Sequence, residues 1–173
     1  MYKNKIDTTS DSIQNLNLKG SFTVENKNII IEKIINFDLI KLMYELNPDI
    51  FEKVYLEKIN NKEAKITLIL KNLFEDLGIP QNYLHLNIKK KENVFEFTTI
   101  HVKPSNITND LKLLETTIIY KYELKNDHNA IFNYIIYFEG NDDLNPFVTN
   151  IFSKIFTKVL KRLKQFIENI TIT

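Results

Sequence analysis

The sequence predicts an α+β domain: an antiparallel β-meander packed against a long C-terminal amphipathic helix, with short helices inserted after the first strand. Three observations carry this prediction. Residues 145–170, "NPFVTNIFSKIFTKVLKRLKQFIENI", repeat their apolar positions with a helical period. Residues 82–140 alternate apolar and polar side chains in four successive segments. Between an opening β-branched stretch and those segments lie runs with helical spacing and helix-start signals.

Taken in order, residues 1–19 are polar and read as a flexible leader, leaving 20–173 as a single domain. "GSFTVENKNIIIEKII" (20–35) is rich in β-branched residues and reads as one bent strand or a short hairpin turning at "ENKN". "NFDLIKLMYEL" follows as a helix capped by Asn36, with Leu39, Ile40, Leu42, Met43, Tyr44 and Leu46 on one side. In "NPDIFEKVYLEKI", Asn47-Pro48 suits a helix start while Val54-Tyr55-Leu56 suits a strand, so 48–58 stays open between the two. "NNKEAKITLILKNLFEDLG" reads as a third helix, with Ile66, Ile69, Leu70, Leu73 and Leu77 as its face and Gly78 as its stop before Pro80.

The period then changes. Residues 82–91, 93–103, 111–125 and 129–140 read as strands, joined by short polar links such as "KEN" and "KNDHN" that suit antiparallel hairpins. The final helix starts near Asn145-Pro146 and runs for about 25 residues, about 37 Å at the usual rise.

Composition narrows the function classes. A chain of 173 residues can bury a core without covalent staples. It has no cysteine, which excludes disulfides, thiolate metal ligands and a cysteine nucleophile. A formal net charge of +1 gives no global attraction to nucleic acid or anionic lipid. The dense basic run "KKKEN" (89–93) reads as an exposed hairpin tip, and with a single arginine in the chain, Arg162, nucleic-acid binding is disfavoured. No apolar run is long enough to span a bilayer, and the N-terminal segment lacks an apolar signal core, so a cytoplasmic protein is expected. Ile, Asn and Lys supply 26, 22 and 22 residues against two Ala, a bias that suggests an A/T-rich genome and marks many lysines as background.

Candidate sites are few. In the final helix, Ile151, Phe152, Ile155, Phe156, Val159, Leu160, Leu163, Phe166, Ile167 and Ile170 share one half-circle, and Lys154, Lys158, Lys161 and Lys164 the other. Such a helix suits an acidic membrane surface or a partner's groove. The favoured reading is a core helix with a solvated outer face, because the preceding strands need an apolar cover. The strand faces hint at a pocket. Leu114, Thr116, Ile118, Tyr120, Tyr122 and Leu124 share one face of 111–125, and Phe132, Tyr134, Ile136 and Phe138 one face of 129–140. Apolar walls with a few polar tips are what a small-molecule site requires, so Ile118, Tyr120, Tyr122, Phe132, Tyr134 and Phe156 are the expected ligand contacts. His85, His101 and His128 lie apart in sequence without metal-ligand spacing, and Asp142 and Asp143 read as loop or capping residues. No catalytic, metal-binding or cofactor-binding motif is found.

The order strand, short helices, β-meander and long C-terminal helix over roughly residues 20–170 resembles the helix-grip fold of the START and Bet v 1-like superfamily. That resemblance rests on element order, and it implies an apolar cavity for lipids, sterols or other hydrophobic ligands between sheet and helix. The sequence departs from the pattern in its long third helix, its five or six strands and its lack of a glycine-rich loop. The expectation is therefore a non-enzymatic binding protein for an apolar small molecule or lipid, with no cofactor. The alternative is a structural or protein-interaction component, for instance of a large DNA virus, with a solid core and a protein partner or a homo-oligomer at its surface.

Overall fold

The computed structural model of the protein describes residues 16–108, 110–138 and 146–172. Asp142, Asp143 and most of the expected leader lie outside the described residues.

Among the described residues, eight strands build one sheet: β1 (Leu16–Glu25), β2 (Phe51–Lys58), β3 (Glu63–Leu70), β4 (Asn82–Lys91), β5 (Val94–Thr99), β6 (Lys112–Leu113), β7 (Thr116–Asn126) and β8 (Asn129–Phe138). Their spatial order is β1-β8-β7-β5-β4-β3-β2, antiparallel throughout, with the short β6 added in parallel to β4. Three helices complete the domain: α1 (Ile31–Ile34), α2 (Phe37–Glu45) and α3 (Pro146–Asn169). The expected α+β architecture, with short helices after the first strand and a long C-terminal helix, is the one observed.

The meander forms because β4, β5, β7 and β8 alternate. On β7, Thr116, Ile118, Tyr120 and Tyr122 are buried beneath the helices, and on β8 Ala130, Phe132, Tyr134, Ile136 and Phe138 are their neighbours. Each such aromatic or branched side chain contributes about 1.5–3 kcal/mol on burial. In α3 the apolar half-circle faces the core: Phe152, Phe156, Val159, Leu160, Leu163 and Ile167 are all buried, while Lys154, Lys158 and Lys161 are exposed. α3 is thus a core element, its lysines facing outward. Its C-terminal end is tied down by Asn26 just after β1. The Asn26 Nδ2 donates to the carbonyls of Ile167 (2.6 Å) and Ile170 (2.9 Å), which the end of a helix leaves unsatisfied.

α2 begins as expected, with the Asn36 side chain accepting from the Leu39 N–H at 3.1 Å. Two expectations are corrected, and the open choice at 48–58 is resolved. The stretch 20–35 is not one bent strand or hairpin. β1 ends at Glu25, the Asn26 side chain accepts from the Asn28 N–H, and the chain enters the helical turn α1. The segment 48–58 is strand β2 from Phe51, and Asn47 closes α2 instead of opening a helix, donating from Nδ2 to the Met43 carbonyl. The third helix is absent: 63–70 is strand β3, followed by a 3-10 turn at Glu75–Leu77. Gly78 does stop that turn, at a positive φ of 68°.

Residues 63–70 look helical in sequence because the strand is buried on both faces. Ala64, Ile66, Leu68 and Leu70 point beneath the helices. Ile69 points the other way, into a second cluster with Tyr83 and Ile107. A strand covered on both sides reads as a continuous apolar run, which periodicity cannot separate from a helix.

Candidate functional site

The helix-covered face of the sheet is organised in rows set by strand register. One row runs Leu18, Ile136, Ile118, Phe97, Ile88 and Ala64 across six strands, and every member is sealed, at 0–1% exposure. The next row runs Gly20, Tyr134, Tyr120 and Phe95, and the third Phe22, Phe132 and Tyr122. Tyr120, Tyr122, Phe132 and Tyr134 keep 7–8% exposure and Phe22 is half-buried, so solvent reaches the face here and not at the first row.

Five of the six expected ligand residues therefore lie together. Tyr120 pairs with Tyr134, Tyr122 with Phe132, and Ile118 sits one row away beside Ile136. Their rings are packed against one another. Phe22 stacks on Phe132 at 5.2 Å, Tyr122 tilts against Phe132 at 6.2 Å, and Phe97 meets Tyr120 edge-on at 5.4 Å. Gly20 is required for this arrangement, because a Cβ there would lie 2.2 Å from the Tyr134 hydroxyl. Phe156 stands apart, packing on Phe138 at 5.7 Å, six residues along β8 from Phe132.

Sequence reasoning missed Tyr44 as a site residue. It sits on α2, is fully buried and meets Phe51 edge-on at 5.2 Å. Its hydroxyl lies beside that of Tyr120, close enough that each alters the other's ionisation. Burial is the larger influence and raises both phenols well above the usual tyrosine range. The two hydroxyls face each other, and neither finds a further hydrogen-bond partner among the described residues. Among the described residues no buried side chain is an acid or a base: the buried polar side chains outside tyrosine are Asn26, Asn47, Thr67, Asn82 and Thr116.

A groove of about 510 Å³ opens where α3 passes the β3–β4 connection. Its apolar wall is made by Ile50, Leu73, Phe74, Leu77, Ile151 and Ile155. Ile50, Phe74 and Ile155 also belong to the main core, so the groove floor is continuous with the interior. Phe74 reaches Phe152 of α3 edge-on at 5.8 Å, and Phe152 in turn lies 5.8 Å from Phe138 of β8. Lys154 and Lys158 stand at its rim.

Beside the groove, Arg162 ties α3 to the α2–β2 turn. Its Nη1 donates to Oδ1 of the fully buried Asn47 at 2.8 Å, and its guanidinium pairs with Asp49, which also receives Lys158 Nζ at 2.6 Å. Arg162, and after it Lys158, holds the Asp49 carboxyl well below the usual carboxylate range.

The remaining candidates do not assemble. His85 lies on the opposite sheet face, its Nδ1 2.9 Å from the Thr67 hydroxyl, with burial lowering its pKa. The His128 ring contacts the Ile29 carbonyl, and His101 lies 3.7 Å from Glu115. Among the described residues no three metal-ligating side chains cluster, and no helix is long and apolar enough to cross a membrane. The basic run at the β4–β5 turn lines an open groove of about 590 Å³ with Lys62. Within it Lys90 is engaged by the fold, 5.3 Å above the Phe95 ring.

Compared with solved structures, this architecture is that of the START/Bet v 1-like fold. A STAR-related lipid transfer protein from Xanthomonas axonopodis aligns with a TM-score of 0.67 and 8% identity, over 94% of this chain and 98% of that one. Human STARD10 aligns with a TM-score of 0.64 and 9% identity, over 94% of this chain and 72% of that one. Ara h 8.0201 aligns with a TM-score of 0.53 and 12% identity, over 88% and 97%. No family model matches the sequence, and no curated protein matches it either. The shared fold removes two of the departures noted above, because the long third helix is in fact strand and the count of strands rises to eight.

Proposed function

We propose that the protein binds a hydrophobic small molecule or lipid without catalysis, in the space between the sheet and α3. The observation that carries this reading is the apolar groove beside α3, whose floor is part of the core and whose opening faces solvent. A ligand entering there would meet Phe74 and Phe152 first. It would then pass beneath α3 toward the rows that carry Ile118, Tyr120, Tyr122, Phe132 and Tyr134, with Phe156 forming part of the roof. The volume of about 510 Å³ lies within the range of small-molecule sites. The fold shared with the STAR-related lipid transfer protein from Xanthomonas axonopodis supports the same class.

A neutral apolar fluorophore, N-phenyl-1-naphthylamine, tests the reading. Saturable enhancement at one site is expected, weakened by about tenfold or more (about 1.4 kcal/mol) when Ile151→Trp fills the groove. Absence of saturable binding would count against a hydrophobic ligand, and unchanged binding in the variant would remove the groove from its path.

A second reading is favoured by Leu73 and Leu77, exposed to 41% and 57% at the groove's edge. They would suit a protein partner or a second copy of the chain. A concentration-dependent oligomer in light scattering, lost in Leu73→Ser/Leu77→Ser, is its signature.

A further inference from the structure

The groove beside α3 is apolar within and basic along one rim. α3 presents two parallel rows to it, Ile151 with Ile155 and Lys154 with Lys158. Each pair is four residues apart and so stacked on one face, about 6 Å apart along the helix axis. The isoleucines continue the wall made by Ile50, Leu73, Phe74 and Leu77, and the lysines stand where that wall meets solvent. Two like charges at this spacing repel each other. Lys154 makes no ion pair among the described residues that would offset this.

We propose that this rim holds the head group of the ligand, and that the ligand is an anionic amphiphile: an apolar chain ending in a carboxylate or a phosphate monoester. The proposal rests on the ligand-binding reading above and names its substrate class. Three observations support it. The first is charge. The groove lining carries Lys154, Lys158 and a single acid, Asp49, and Asp49 is already neutralised by Arg162, whose Nη1 and Nη2 both donate to it. Lys158 is a second partner of that carboxylate, at 2.6 Å, and its side chain is half exposed. It can therefore turn to an incoming anion without leaving Asp49 unpaired. Glu75 and Asp76 on the neighbouring 3-10 turn do not line the groove, to which that stretch contributes Leu73, Phe74 and Leu77. The second is the interior. Among the described residues no buried side chain is acidic or basic, so a charged end finds no partner inside and stays at the rim. The third is geometry. Because the two rows run side by side along α3, one extended molecule lays its chain along Ile151 and Ile155 while its head meets both lysines. An ion bound there pairs with Lys154 and relieves its repulsion with Lys158. A cationic amphiphile would meet the same rim as repulsion.

The test is displacement of N-phenyl-1-naphthylamine at low salt by dodecanoate, dodecyl phosphate, dodecan-1-ol and dodecyltrimethylammonium, each kept below micelle formation. Inorganic phosphate serves as the ion alone. Wild type is compared with Lys154→Gln/Lys158→Gln and with Lys154→Glu, their folds checked by circular dichroism. The two anions are expected to displace the probe at concentrations about fivefold lower than the alcohol, the size expected of partly exposed charge pairs, and added salt should erase that advantage. The glutamine variant should abolish it while leaving the alcohol unchanged. Lys154→Glu, which disturbs no described ion pair, should weaken the anions alone. Inorganic phosphate should displace no probe. Equal displacement by anions and alcohol, a preference for the ammonium amphiphile, or an anionic advantage that survives in both variants would each overturn the head-group assignment and leave hydrophobic binding standing. Inorganic phosphate as effective as dodecyl phosphate would reduce the rim to an ion site and overturn it too. Failure of the probe to bind wild type, with no heat of binding from any amphiphile in calorimetry, would overturn the binding reading itself, and the head-group assignment with it.

Discussion

Removing the Tyr120 hydroxyl should stabilise the ligand-free protein, which is the reverse of what most core substitutions do. In Tyr120→Phe the ring keeps its edge-on contact with Phe97 and its place beside Tyr134, so the packing of the row is preserved. What disappears is one sealed hydroxyl that lies beside the Tyr44 hydroxyl but makes no hydrogen bond of acceptable distance and angle. Relief of its desolvation cost contributes about 1 kcal/mol at the low end. The oxygen leaves a void of about 15 Å³, which costs about 0.4 kcal/mol at about 24 cal/mol per Å³. The net gain is about 0.6 kcal/mol or more, and for a domain of this size that raises Tm by about 1–3 °C. Urea denaturation of delipidated wild type and variant, with unchanged m-values, measures it. A loss of about 1 kcal/mol or more, the value of one satisfied hydrogen bond, would show that the hydroxyl is paired in solution and would refute the reasoning.

Three further outcomes follow from the same structure. Asn26→Ala removes two bonds to the end of α3 and the turn bond to Asn28, and should cost about 2–3 kcal/mol, with amide exchange accelerated first in the last turn of α3. Phe156→Asp places a carboxylate at a buried position against Phe138 and should lose about 4 kcal/mol or more, so an unchanged melting curve would contradict α3 as a core helix. The Asp49 carboxyl is held below its ordinary value of 3.8, so its stabilising contribution is fully present above that value and is lost as pH falls through the lower folded-state value. Because Asp49 is partly exposed, the stability difference between wild type and Asp49→Asn should be about 1 kcal/mol or less at pH 6 and should shrink below about pH 4. A difference constant down to pH 2 would show that the ion pairs do not form.

The sequence made the second half of the fold readable because its strands alternate. β4, β5, β7 and β8 each have one face under the helices and one in water or under a loop, and that asymmetry is what a period of two reports. α2 was readable from a local signal, the Asn36 cap, and α3 from its two-sided charge pattern. β2 and β3 were not. β3 is buried on both sides, and its neighbours Leu73 and Leu77, which completed an apparent helical face, are exposed residues of the following loop. The site was legible to the extent that one strand's face is. The clustering of Tyr120, Tyr122, Phe132 and Tyr134 follows from adjacent strands in register. The approach of Tyr44 to Tyr120 does not, because it depends on how α2 lies across the sheet, which no local pattern encodes. Tyr44 appeared in the sequence only as one apolar position of a short helix.

The most direct measurement is native mass spectrometry of the protein purified from cells, followed by extraction and identification of whatever accompanies it. The account predicts a reproducible extra mass of lipid or small-molecule size, released on denaturation and reduced in Ile151→Trp. A clean apo chain that also takes up no added lipid or apolar small molecule would contradict it.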